Sequence, residues 1–302
     1  MTNPVKSIRI GTLIGGHARL GEYISQIADY GFESFQINFW GTIPEDVDLP
    51  KLADEVFAAI GDRDIVIGAL GLYGDPLKDD ETAAKGRADW VRLIDAAKLF
   101  KTDIVAGFTG RVAGKSVPEN LPRFTEVWSP LAEQAEQQNV RIAWENCPMG
   151  GNWRSGDWNL AFNPDAWELL FDAVKSDAIG LEWEPCHQMC QLIDPLPQLR
   201  DWVHKIYHLH GKCATIDWDV VRHHGIHSPV PFAYHRTPGF GDLNWTDVIS
   251  ILRKGGFTGS IDIEGWHDPV YREELEMTGQ VYGLNYLKQC RGGTYYPNPV
   301  ID

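Results

Sequence analysis

The sequence predicts an α/β chain closed on itself as a single (β/α)8 TIM barrel spanning residues 1–302. Three observations carry that expectation. Eight short apolar runs recur along the chain, a longer amphipathic stretch follows each of them, and no linker or shift in composition divides the series. The runs are rich in Ile and Val and continuous rather than alternating, the pattern of parallel strands buried on both faces.

In order, SIRIGTL at 7–13 is followed by LGEYISQIADYGF, and SFQINF at 34–39 by LPKLADEVFAAIG. DIVIGAL at 64–70 precedes KGRADWVRLIDAAKLF, and TDIVAGF at 102–108 precedes FTEVWSPLAEQAEQQN. VRIAWE at 140–145 leads to DAWELLFDAV, where Asn163, Pro164 and Asp165 read as a helix start. AIGLEWE at 178–184 leads to LPQLRDWVHK. KIYHLHG at 205–211 leads to WTDVISILRKGGF, with Gly255-Gly256 as its stop. GSIDIEG at 259–265 leads to REELEMTGQVYGLNYLKQC and a Gly/Pro-rich tail expected on the surface. An open doubly wound sheet is the alternative. GTLIGGHARLG after the first strand does not fit a GxGxxG phosphate turn, and a count of eight favours closure.

Three connections after strands are long, at 109–119, 146–162 and 212–244, and on a barrel such loops lie on the catalytic face. The third, with Trp218, His223, His224, His227, Tyr234, His235 and Arg236, reads as a lid or a subunit contact.

Four residues at strand ends carry the chemistry: Glu145, Glu184, His210 and Glu264. A Glu at the end of a buried apolar strand is costly unless something pairs with it. Three of them and a His on one rim make a divalent-metal site. Oxygen-rich ligation with one nitrogen suits Mn²⁺ first, with Mg²⁺, Co²⁺ or Zn²⁺ as alternatives. Cys186 and Cys190 flank His187, but without a second thiol pair they do not read as a zinc site.

At -15, the net charge argues against a nucleic-acid partner, because the phosphate backbone repels such a surface. MTNPVKSIRIGTL holds no apolar signal core, and no run is long enough to cross a membrane. Five cysteines without framework spacing read as free thiols of a cytoplasmic protein. Twelve Trp is a high count, and Trp40, Trp144, Trp153, Trp183 and Trp266, with Tyr73 and Phe108, are candidates for an apolar wall over a sugar ring.

These motifs together resemble the sugar isomerase/epimerase group of xylose-isomerase-like barrels, which includes ketose 3-epimerases and inosose dehydratases. The resemblance covers nearly the whole chain and is strongest from Trp144 to Trp266. Glu145 in WENCP matches the family's Glu after strand five, and Glu264 in IDIEGWHD its final Glu. Glu184-Pro185-Cys186-His187 is similar to the family's Asp-Pro-Ser-His, and His210-Gly211-Lys212-Cys213 to its His-x-Lys-Asp. Arg236 to Gly241 is similar to its Arg-x-x-Gly-x-Gly. Two departures stand out: Glu184 and Cys213 occupy places where the family usually has Asp.

The resemblance implies that Glu145, Glu184, His210 and Glu264 bind the metal. It implies that Glu145 and Glu264 also remove and return a proton next to a carbonyl, through an enediolate whose charge the ion neutralises. His187 and Arg236 would orient substrate oxygens. The implied activity is isomerisation or epimerisation of a ketose or keto-glycoside. The alternative is a lyase on the same scaffold, by inosose-type dehydration or C-glycoside cleavage of a 3-keto-sugar, with His187 or His227 as the additional acid. A non-catalytic sugar binder would have lost a metal carboxylate, and none is lost. Barrels of this type often pair as homodimers or tetramers. In related endonucleases for abasic DNA, histidines after strands three and four hold additional zinc; GALGLYGD and AGFTGRV have none.

Overall fold

The computed structural model describes residues 8–293 and 299–300. Eight parallel strands close a barrel: β1 (Arg9–Gly15), β2 (Ser34–Trp40), β3 (Val66–Tyr73), β4 (Ile104–Gly107), β5 (Arg141–Glu145), β6 (Ile179–Trp183), β7 (Ile206–Gly211) and, after an inserted hairpin of β8 (Cys213–Ile216) and β9 (Ala233–Arg236), β10 (Ser260–Ile263). The ring closes where β1 pairs with β10, Arg9 opposite Ser260 and Thr12 opposite Ile263. All eight expected strands are present, and helices pack outside them. Most of the expected surface tail lies outside the described residues.

Helix ends follow local chemistry. Asn163 caps α5 (Pro164–Ala173) by accepting from the Ala166 amide, and α9 (Trp245–Lys254) stops at Gly255, with Gly256 at a φ of +80°. The helix after β4 begins earlier than FTEVWSP suggests. α4 runs Val117–Gln138, because Ser116 and Glu119 form a capping box with Pro118 in the first turn. The 212–244 connection is not irregular throughout: it folds into β8, the short helix α8 (Trp218–His224) and β9, with Cys213 opposite Arg236. A short helix, α6 (Pro185–Cys190), follows β6 directly.

The main core lies between strands and helices, where Trp90, Trp128, Trp144, Trp167, Trp183 and Trp245 are fully buried. Trp144 and Trp183, two of the candidate sugar-wall residues, are spent there: Trp144 packs edge-on against Trp128 at 5.3 Å, and the Trp183 indole donates to Gln198. The barrel interior is different. One part is filled by Ala69, Ile104, Ala106 and Ala143, and another by a polar cluster. Gly11 and Gly68 make room for that cluster: a Cβ on either would come within 2.3 Å and 2.7 Å of the Asp262 carboxylate.

At the opposite rim, Glu33 ties α10 (Glu276–Arg291) to the barrel. Arg291 Nη2 lies 3.0 Å from Glu33 Oε1, the Ile10 amide donates to Oε2 at 3.0 Å, and Lys288 Nζ is 3.5 Å away. Burial works against the charge of Glu33, but Arg291, the Ile10 amide and Lys288 outweigh it and hold its carboxyl below the ordinary value of 4.5. Its contribution is therefore present above pH 4.5 and is lost as the pH falls through the lower folded value. Because the pair is part-exposed and screened, Glu33→Gln is expected to cost about 1 kcal/mol, or about 2–4 °C in Tm. Thermal melts at neutral pH and near pH 3 check this; a deficit that does not shrink in acid contradicts it.

Candidate metal centre

Side chains two apart on a strand share a face, and three such pairs project into the barrel: Glu182 with Glu184, His208 with His210, and Asp262 with Glu264. They form two layers. In the upper layer, His210 Nδ1 faces three carboxylates: Glu184 Oε2 at 3.3 Å, Glu264 Oε2 at 3.6 Å and Glu145 Oε1 at 3.7 Å. These four residues, the set expected from the sequence, offer ligand atoms all within 4.8 Å of one another.

The arrangement fits a divalent cation. Ligands about 2.1 Å from an ion stand about 3.0 Å apart at right angles and about 3.4 Å apart in a tetrahedron, close to the spacings around His210. Glu184 Oε1 is buried without a hydrogen-bond partner, although His187 Nε2 lies 3.2 Å and Lys212 Nζ 3.3 Å away. Three oxygens and one nitrogen are the donor set of a hard or borderline ion.

Backbone clamps hold these ligands. The Asn146 side chain accepts from the Glu184 amide at 2.6 Å and donates to the Glu184 carbonyl at 2.8 Å, fixing the backbone at the end of β6. Asn159 donates to the carbonyls of Glu145 and Cys147 at 2.8 and 2.7 Å. The 146–162 connection thus supports the site directly.

The lower layer fixes the imidazole of His210. Gln36 Oε1 lies 3.0 Å from His210 Nε2, while Gln36 Nε2 donates to Glu182 at 2.7 Å and to the Tyr73 hydroxyl at 2.8 Å. An acceptor at Nε2 places the proton there and leaves Nδ1 for the upper layer. Beneath, His208 lies between Glu182 at 2.9 Å and Asp262 at 2.8 Å, one on each ring nitrogen. Two carboxylate acceptors make it an imidazolium: burial opposes its charge, but Asp262 and Glu182 outweigh burial and raise its pKa. Ser34 donates to the other oxygen of Asp262. Sequence reasoning singled out none of Glu182, His208, Asp262 and Gln36. The signal for three of them was present, since each stands two residues before a named ligand.

Charge separates the carboxylates. Burial pushes Glu184 up to about 8, against the pull of Lys212. It also raises Glu145, against His210. Burial opposes the charge of Glu264 as well, but there Lys212, His210 and His267 prevail and hold it well below the usual range. Lys212 Nζ is 2.9 Å from Glu264 Oε2, and His267 Nδ1 is 3.0 Å from Oε1. His187 is buried beside Glu184 and Glu145, and burial, with Lys212 nearby, keeps it neutral.

Above the ligands opens a cavity of about 500 Å³, an ordinary size for a small-molecule site. Glu145, His187, His210 and Glu264 reach it. Trp40 and Trp266, 64% and 46% exposed, form walls with Tyr73 and Phe108. Trp40 lies edge-on to Phe108 at 6.1 Å. Asn38 also borders the cavity, and its Oδ1 is buried without a hydrogen-bond partner.

Not every expected residue arrives there. Trp153 is 37% exposed and does not border this cavity. His227 is exposed in the turn after α8; the additional imidazoles at the cavity are His235 and His267. From β9 it is His235, rather than Arg236, that borders the cavity. The Arg236 Nε pairs with Asp268 at 3.0 Å, and its guanidinium lies over the Phe240 ring. Cys213, where the family usually has Asp, is buried and accepts from the Leu243 amide, a packing role.

No described helix is long and apolar enough to cross a membrane. Residues 24–289 match the family model described as xylose isomerase-like TIM barrel. An inosose dehydratase of Clostridium tetani (strain Massachusetts / E88) is 22% identical over 280 residues, 87% of each chain. The 3-keto-D-glucoside 4-epimerase of E. coli superposes with a TM-score of 0.69 at 15% identity, covering 94% of this chain and 100% of that one. A xylose isomerase domain protein of Planctomyces limnophilus gives 0.71 at 16% identity, covering 94% and 98%. With a closed eight-stranded barrel and a family match over most of its length, this chain belongs to the xylose isomerase-like TIM barrel family.

Proposed function

We propose that this protein is a divalent-metal-dependent isomerase or epimerase of a ketose or keto-glycoside. The observation that carries this reading is the set Glu145, Glu184, His210 and Glu264, three of which, all but Glu184, line an aromatic-walled cavity. A divalent cation bound there supplies positive charge beside the substrate's carbonyl and hydroxyl oxygens, which lowers the cost of removing the neighbouring proton. Glu264, held ionised by Lys212 and His267, takes that proton; Glu145, whose carboxyl is raised by burial, returns one. His187, neutral and buried, donates to a substrate oxygen. Trp40 and Trp266 cover the apolar face of the sugar ring.

Elimination on the same scaffold is the second reading. It is favoured by the additional imidazole of His267 at the cavity, which can protonate a leaving group, and by the dehydratase among the relatives. The test incubates the Mn²⁺-supplemented protein with keto-sugars and 3-keto-glucosides in D₂O. Isomerisation is expected to give a product of unchanged skeleton carrying one deuterium next to the carbonyl. Loss of water or of an aglycone establishes elimination instead. Absence of deuterium exchange across the panel overturns both readings.

A further inference from the structure

A second cluster of soft ligands lies outside the oxygen-rich centre. Cys186 and Cys190 stand four residues apart on α6, one turn of helix, so their thiols share a face. His235 reaches them from β9, 45 positions further along the chain than Cys190. The two sulfurs and one imidazole nitrogen all lie within 4.8 Å of one another. Cys186 is fully buried, and Cys190 and His235 are half-buried, so an ion can enter from the hairpin side.

We propose that Cys186, Cys190 and His235 form a second metal site, selective for Zn²⁺ and distinct from the oxygen-rich centre. Two thiolates and an imidazole are the donor set of zinc, whereas three carboxylates and one imidazole suit Mn²⁺ or Mg²⁺, so ligand softness separates the two sites. A two-stranded hairpin is marginal by itself. The zinc would staple β9 to α6, the helix that carries His187, whose ring lies 5.3 Å from that of His235. The Cys-His-x-x-Cys segment has no second thiol pair in the sequence, and the fold brings it an imidazole from the β8–β9 hairpin instead.

The test strips the full chain with a chelator and titrates it with Co²⁺, followed by absorption. The wild type is expected to show a thiolate-to-cobalt charge-transfer band in the near ultraviolet, bleached by Zn²⁺ but not by Mg²⁺. Cys190→Ser is expected to remove about half of it, and His235→Ala to weaken cobalt binding about tenfold or more. His235 lies on the hairpin rather than in the core, so this variant keeps the test open if Cys186→Ser fails to fold. Glu145→Ala keeps the band while losing the oxygen-ligated ion, so failure of the two sites is distinguishable. Absence of a thiolate band overturns the proposal. So does a band that survives Cys190→Ser and His235→Ala but disappears in Cys147→Ser, which assigns it to Glu145, Cys147 and His187. A mass two hydrogens short across Cys186 and Cys190, without cobalt uptake, marks a redox pair and also overturns it.

Discussion

Glu264→Gln and Glu145→Gln are each expected to lower turnover by about 10²–10⁴-fold while leaving the barrel folded. Each amide keeps the shape of the side chain but removes its capacity to accept a proton. Glu264 is the more exposed of the two, so it is the assigned base. Its replacement leaves Lys212 with Glu184 at 3.3 Å, and the Gln oxygen still accepts from the ammonium. For Glu145 the sign of the stability change follows from its raised carboxyl. A group harder to ionise in the folded state than in the unfolded one destabilises the fold at neutral pH, so Glu145→Gln is expected to melt no lower than the wild type without metal. Circular dichroism and melting curves beside the deuterium-exchange assay separate lost chemistry from lost structure. Full activity in both variants would remove the two-carboxylate mechanism.

His210→Ala is expected to abolish stoichiometric metal binding at the oxygen-rich centre, with a loss of affinity beyond the 10–100-fold that outer-sphere changes typically produce. The imidazole is the one nitrogen among the four ligands, and it sits at the centre of the three carboxylates. Burial disfavours its charged form, but Glu182 above all, with Tyr73 and Glu145, overrides burial and favours protonation in the metal-free protein. A cation must displace that proton, so binding releases protons and affinity falls as the pH falls. Beyond any zinc held by Cys186, Cys190 and His235, elemental analysis of the purified protein is expected to give about one Mn, Mg, Co or Zn per chain, which Glu145→Ala and His210→Ala chains are expected to lose. A wild type that takes up no ion from excess Mn²⁺ would leave the barrel standing and remove the metal-assisted mechanism.

Much of this architecture was legible in the chain. Strands such as RIAWE and SIDI are short, Ile-bearing segments buried along nearly their whole length, so their ends, and the Glu145 and Glu264 that stand there, can be located from local pattern. The hairpin inside 212–244 was not legible, because CATI and AYHR are four residues each and AYHR is only half-buried. Arg236 illustrates a second limit. Its motif suggests a substrate contact, but Asp268, 32 positions further along the chain, pairs with it, and Arg236 does not border the cavity.

By itself, then, the sequence determined an eightfold barrel and the placing of Glu145, Glu184, His210 and Glu264 at its strand ends, because strand period is a local property that a run of residues expresses without its neighbours. Only the tertiary structure decided how those ligands are held. Gln36 and Tyr73 meet His210 across the barrel interior from 174 and 137 positions away, and His235 meets the Cys186–Cys190 pair from a hairpin. Such contacts depend on closure and strand stagger, which set which side chains share a layer. The charge of each buried group then follows from those neighbours rather than from its own place in the chain.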